Sequence, residues 1–184
     1  MKTISKFILT HLLCWKTKGE FPEIKKSVII FAPHTSYWDA LYGKLYLMQL
    51  DINYKFLTKK ELFFFPMNIL LKLYGSIPIR GKKKNAIRQV ASMLNNAHSL
   101  HIIISPEGSF SNVTNWKKGF YYMAQKANVP IMVCYLDYRK KEIGIKGVID
   151  NLEDINSVML QINTMYKGVS AKYPDNFSLE SIKH

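Results

Sequence analysis

Short apolar runs alternate along this chain with stretches whose apolar positions recur every three or four residues. Val28 to Ala32, Asn53 to Thr58, Leu100 to Ser105 and Val129 to Leu136 are rich in β-branched and aromatic residues and read as strands. Lys141 to Val148 reads as an edge strand, and Gly75 to Gly81 as a short extended segment. Helical patterns lie between them. One runs from Tyr37 to about Leu50. In another, Asn85 is a candidate cap and Ile87, Val90, Leu94 and Ala97 share a face. A third runs from Trp116 to Ala127 with Phe120, Met123, Ala124 and Ala127 inward, and Asn128 closes it. The last carries Ile155, Met159, Ile162 and Tyr166 and stops at Gly168; the tail with Pro174 reads as irregular. Pro66 is placed to break or kink the very apolar stretch from Lys59 to Tyr74, which suits a core, an acyl-chain wall or a surface that dips into lipid. Strands alternating with helices predict an α/β fold: one domain whose mixed, largely parallel sheet is covered by helices.

The N-terminus departs from this alternation. Ile4, Ile8, Leu12 and Trp15 recur at helical spacing, flanked by Lys2, Lys6, Lys16 and Lys18. The run is too short for a transmembrane helix, which needs about 20 apolar residues, and no small-residue cleavage site follows it. Residues 1–18 are therefore read as an amphipathic helix for the membrane interface, and residues 19–184 as the α/β domain; packing of the helix on that domain is the competing expectation.

Charge narrows the class of partner. The 184 residues carry 26 Lys and Arg against 13 Asp and Glu, a net +13. Such an excess implies an anionic partner: a membrane surface, a phosphorylated substrate or a nucleic acid. No nucleic-acid-binding motif is present, and the cations are spread along the chain. Anionic lipid accounts for the charge, the aromatic residues and the N-terminus together, so the partner is read as membrane and not nucleic acid. Cys14 and Cys134 have neither metal spacing nor a disulfide framework. His98 and His101 span a predicted helix end and a strand, so no metal site is predicted.

The chemistry concentrates at two strand ends. Val28–Ala32 runs into Pro33-His34, and Ser36 and Asp39 open the following helix. Inside one helix, residues five apart point about 140° away from each other. His34 and Asp39 meet only if His34 precedes the helix and Asp39 sits in its first turn, where an acid suits the helix start. One ring nitrogen of His34 would then be held by Asp39 and the other left to take a proton. The same pattern also fits an ordinary helix cap. The second strand, Leu100–Ser105, ends in Pro106-Glu107-Gly108. If both strands lie in one parallel sheet, His34 and Glu107 face one cleft. A serine-hydrolase reading lacks its Gly-x-Ser-x-Gly elbow.

Taken in order, His34-x4-Asp39, Gly75-Ser-Ile-Pro-Ile-Arg80, Pro106-Glu-Gly-Ser-Phe-Ser111 and Val129-Pro-Ile131 resemble the blocks of the 1-acylglycerol-3-phosphate acyltransferase (PlsC-like) family of glycerolipid acyltransferases, over about residues 25 to 140. Trp116 to Tyr122 and Tyr135 to Tyr138 are similar to smaller bacterial members. The resemblance implies transfer of a fatty acyl group from an acyl thioester, acyl-carrier protein or acyl-CoA, to the hydroxyl of a lysolipid such as 1-acylglycerol-3-phosphate. It implies His34 as general base and Asp39 as its support, with no metal and no cofactor beyond the thioester co-substrate. Arg80 and Lys82 would hold an anionic group, Glu107, Gly108 and Ser109 would shape the acceptor pocket, and Val129 to Ile131 would be structural or line the acyl path. It further implies a peripheral or monotopic protein on the cytoplasmic face of the cell membrane. The family's third block usually reads Pro-Glu-Gly-Thr-Arg, its Arg binding the acceptor phosphate; Ser109-Phe110 stands there instead. Arg80, Lys82, Lys83, Lys84, Lys117 and Lys118 are candidate replacements. The alternatives are a non-phosphate acceptor such as a lyso-aminolipid, a lipid hydrolase, and a basic nucleic-acid-binding protein.

Overall fold

A computed structural model describes residues 2–79 and 83–181 of the chain. Its centre is β2 (Lys26–Ala32), the strand that leads to His34. Every residue of β2 after Lys26 is buried. Only a strand covered on both faces can be apolar throughout, and parallel sheets are built from such strands. β2 pairs in parallel with β5 (Leu100–Ile104) on one side and with β6 (Ile131–Asp137) on the other, so that Val28 lies beside both Ile102 and Ile131.

The sheet is seven-stranded, in the order β1-β7-β6-β2-β5-β3-β4. β3 (Tyr54–Lys59) and β4 (Ser76–Ile79) extend it in parallel beyond β5. β7 (Glu142–Ile149) returns antiparallel to β6, with a bulge between Val133 and Cys134. Successive side chains of β2 divide the core, as a pleated strand requires. Val28, Ile30 and Ala32 join a cluster with Val90, Leu94, Phe120 and Val158. Ile29 and Phe31 join the opposite cluster with Leu9, Tyr46 and Leu47. The first cluster is closed by α4 (Lys83–Asn96), α5 (Gly119–Ala127) and α6 (Ile155–Tyr166); the second by α1 (Lys2–Phe7), which continues as a π-helical turn through Leu12, and α2 (Tyr37–Leu47). The predicted α/β fold, with its largely parallel mixed sheet, is the fold observed.

Several boundaries differ from the sequence reading. β7 is not an edge: Lys16–Lys18 forms β1, which pairs with it in parallel. Gly144 permits that approach, because a Cβ there would lie 1.8 Å from the Lys18 carbonyl oxygen. Within the segment read as a membrane-interface helix, residues 16–18 thus form a strand of the sheet. The segment's helix packs one face on the core through Leu9 while Ile4, Phe7 and Leu12 stay exposed. Asn85 lies inside α4 and does not cap it. Trp116 precedes α5 in the loop, buried, with its indole N–H donating to the Ser178 carbonyl at 3.0 Å. Pro66 does break its segment: a single 3-10 turn, Lys60–Leu62, precedes it, and α3 (Met67–Tyr74) follows. Asn128 closes α5 in the left-handed conformation, as expected. Among the described residues the tail is irregular except for a 3-10 turn at Pro174–Asn176, yet Glu180 within it is buried.

Candidate active site

Because β2 and β5 run in parallel, the turns after Ala32 and Ile104 open on the same edge of the sheet. Ser36 is extended and its hydroxyl accepts the Trp38 N–H at 3.2 Å; in return Asp39, three residues on, accepts the Ser36 N–H at 2.8 Å. This reciprocal cap starts α2. Asp39 Oδ2 also takes the Thr35 N–H at 2.7 Å. Its other oxygen accepts the Tyr138 hydroxyl. The carboxyl group is buried and each oxygen accepts a hydrogen bond, which fixes its position.

His34 sits at the mouth of this arrangement. Its Nδ1 lies 3.7 Å from Asp39 Oδ2, with the imidazole 28% exposed and the carboxylate 1% exposed. At that distance there is no hydrogen bond, so Asp39 acts on His34 through its field and not as a bonded partner. The sequence reading expected a direct bond; the backbone of Thr35 and Ser36 has taken that oxygen first. With Nδ1 turned toward Asp39, the other ring nitrogen faces away from that carboxylate.

Glu107 meets this turn from β5. It is buried, and the Ser105 hydroxyl donates to its Oε2 at 3.1 Å. Burial pushes its carboxyl up to about 8; the Ser105 hydroxyl and the His34 backbone N–H oppose the shift, and the Asp39 charge adds to it. Glu107 therefore keeps its proton to higher pH than an ordinary glutamate, and it bridges the two turns as the acceptor of these bonds. The two turns meet, since the Glu107 carboxyl bonds to the His34 backbone.

The rest of the second turn is held by Lys117. Its N–H donates to the Pro106 carbonyl at 2.8 Å, and its ammonium to the Gly108 carbonyl at 3.4 Å. Gly108 has φ +63, which favours glycine, and a Cβ there would meet the Lys117 ammonium at 2.6 Å. Ser109 accepts the Ser111 N–H at 3.2 Å and so shapes its own loop. Phe110 stands edge-on to His34 with ring centroids 4.8 Å apart, and edge-on to Tyr37 at 4.7 Å. Lys118, another candidate cation, lies 3.5 Å from the buried Glu180 carboxylate, which also accepts the Trp116 N–H. Arg80 and Lys82 lie outside the described residues. Val129 and Ile131 are buried in the core where β6 begins, and Pro130 accepts the Val28 N–H at 3.0 Å; they stand at the sheet edge opposite the site. His98 is exposed while His101 is buried against the Ser27 hydroxyl at 2.8 Å, so the two do not gather.

Sequence reasoning missed Tyr138, Thr35 and Glu180. Tyr138 was findable in principle, since it follows the end of β6 on the same edge as His34. The Thr35 hydroxyl accepts the Tyr173 N–H at 3.3 Å and so ties the tail to the turn that carries His34, which no local pattern signals.

This geometry can be set beside known proteins. A family model described as Acyltransferase matches residues 14–137. The chain belongs to the Acyltransferase family. The enzyme is thus an acyltransferase, with an acyl donor and an acceptor as its substrates. The match spans the strands and turns that carry His34, Asp39 and Glu107. The fold is also similar to the crystal structure of the 1-acyl-sn-glycerophosphate (LPA) acyltransferase PlsC from Thermotoga maritima, with TM-score 0.64 and 17% identity over 90% of this chain and 75% of that one. None of the curated proteins compared with the chain matches it. Among the described residues, no helix is long and apolar enough to cross a membrane.

Proposed function

We propose that this acyltransferase moves a fatty acyl group from acyl-CoA or acyl-carrier protein to the hydroxyl of a lysolipid, with His34 as general base. The observation that carries the reading is the half-buried His34 imidazole beside the fully bonded, buried Asp39 carboxylate. His34 takes the proton of the acceptor hydroxyl as that oxygen attacks the thioester carbonyl. The C–O bond forms, the C–S bond breaks, and the proton returns from His34 to the departing thiolate. The Asp39 charge stabilises the imidazolium in between, and a positioned base of this kind contributes on the order of 10²–10⁴-fold.

Arg80 and Lys82 are assigned to an anionic group of donor or acceptor, and Glu107, Gly108 and Ser109 to the walls of the acceptor pocket. Phe110 favours a second reading of the acceptor. Its ring packs on His34 and provides no charge for a phosphate, so a lysolipid without one, such as a lyso-aminolipid, fits this wall. The similarity to PlsC favours 1-acylglycerol-3-phosphate instead. The lipid acceptor and the net charge of +13 support work at the cytoplasmic face of a membrane without spanning it.

The test is purified protein in detergent with labelled acyl-CoA or acyl-carrier protein and a panel of lysolipids. Turnover is expected with at least one acceptor, falling about 10²-fold or more in His34→Ala. No transfer to any lysolipid sinks the reading, and transfer only to 1-acylglycerol-3-phosphate removes the Phe110 alternative.

A further inference from the structure

The segment between β3 and β4 is strongly apolar and almost uncovered. α3 has no buried residue. Leu62, Phe64, Phe65, Ile69, Leu70 and Leu73 are all exposed, Phe65 and Leu73 each by 79%. Single exposed apolar side chains are ordinary; a contiguous run of them marks an interaction surface.

Charge and position indicate what covers it. Exposed Lys59, Lys60 and Lys72 flank the run, with Glu61 the one acid in residues 59–74. Exposed Lys84 follows, on a chain of net charge +13. A second copy of so basic a chain would bring like charges together. An anionic bilayer takes both parts at once, the apolar side chains below the headgroups and the ammonium groups among them. The patch also adjoins the site. The Lys44 ammonium donates to the Tyr74 carbonyl at 2.7 Å, and the Tyr74 hydroxyl donates to the Ala40 carbonyl. These bonds fasten the end of α3 to the first turns of α2, where Tyr37 and Leu41 are exposed. Tyr37 in turn touches Phe110, whose ring rests on His34. The end of α3 is thus fastened to the helix whose exposed Tyr37 leads, through Phe110, to His34.

We propose that residues 59–74 are an interfacial anchor that seats on an anionic bilayer and holds the His34 entrance against it. The orientation deepens the lipid-acceptor reading and rests on it; the binding does not, and is measured without turnover. Full-length protein is sedimented with phosphatidylcholine vesicles with and without phosphatidylglycerol. Wild type is expected to bind the anionic vesicles, less as salt rises. The double variant F65S/L73S loses about tenfold or more in partition. K59Q/K60Q/K72Q loses about fivefold per lysine on anionic vesicles and nothing on neutral ones. Both keep the wild-type circular dichroism and melting, since the altered side chains are exposed. His34→Ala binds as wild type, which separates this proposal from the catalytic one. With vesicle-borne lysolipid, F65S/L73S raises KM, while turnover of a short-chain soluble lysolipid is unchanged. The anchor is overturned if wild type stays in the supernatant, or if F65S/L73S sediments like wild type. It is also overturned if that variant merely turns a dimer into a monomer, or loses retention on acyl-carrier protein while still sedimenting with vesicles.

Discussion

Asp39 is held by a residue 99 positions away, the Tyr138 hydroxyl. The burial of Tyr138 and its bond to Asp39 push the phenol well above its usual range, so it remains a donor. Tyr138→Phe removes that donor and leaves a buried carboxylate oxygen unbonded, at a cost of about 1–3 kcal/mol in stability. The carboxylate beside His34 is then less firmly held. Turnover is expected to fall with KM little changed; an unchanged kcat removes Tyr138 from the support of Asp39. Glu107 yields a prediction about stability. Its folded carboxyl titrates at about 8, against 4.5 for an ordinary glutamate. The folded state holds a proton that the unfolded state has lost, so Glu107 costs stability as pH rises from 4.5 to about 8. His101 works in the opposite direction. Burial lowers it from 6.5 to about 4, so stability falls as pH drops through that window. The two nearly cancel between 4.5 and 6.5, and the Glu107 effect stands alone from 6.5 to about 8, at up to roughly 1.4 kcal/mol per pH unit. Denaturant midpoints measured across pH are expected to fall in that upper window for wild type and to stay flat in Glu107→Gln. An equal decline in both would show that Glu107 is not its source.

Among the elements, the helices were easier to foresee than the edges of the sheet. Three- and four-residue periodicity in α6 and the left-handed Asn128 cap are local signals. Pairing is not local. β1 is three residues of alternating Lys and Thr with every side chain exposed, and no pattern marks it as a strand. It exists because β7 presents unpaired backbone and Gly144 lets it approach. Gly144→Ala is expected to expel β1, since its Cβ would collide with the Lys18 carbonyl at 1.8 Å. Hydrogen exchange would then show protection lost at residues 16–18 and kept in the β6–β7 pair. Retained protection at 16–18 contradicts this account. Trp116 misled for a similar reason: its apolar ring belongs to the core through the loop, bonded to the distant Ser178, and not through a helix face.

At the scale of the molecule, a parallel sheet converts separate motifs into one site. The strand ending at Ala32 and the strand ending at Ile104 deliver His34 and Glu107 to the same edge, and β6 delivers Tyr138 there too. The amino-acid sequence by itself determined the order of strands and helices, the capped turn that holds Asp39, and the pairing of two polar turns on one sheet edge. The first two follow from periodicity and capping chemistry, readable within a few residues of chain; the third follows from the strand–helix alternation that implies a parallel sheet, while the short edge strand β1 gave no such signal. Only the tertiary structure decided how Asp39 is used. Its oxygens are spent on Thr35, Ser36 and Tyr138, which leaves His34 at 3.7 Å. Only it placed Phe110 on the imidazole and occupied Lys118 with Glu180. The physical reason is the same in each case. A buried carboxylate or ring takes whichever partner the fold brings within reach, and the fold draws those partners from remote parts of the chain.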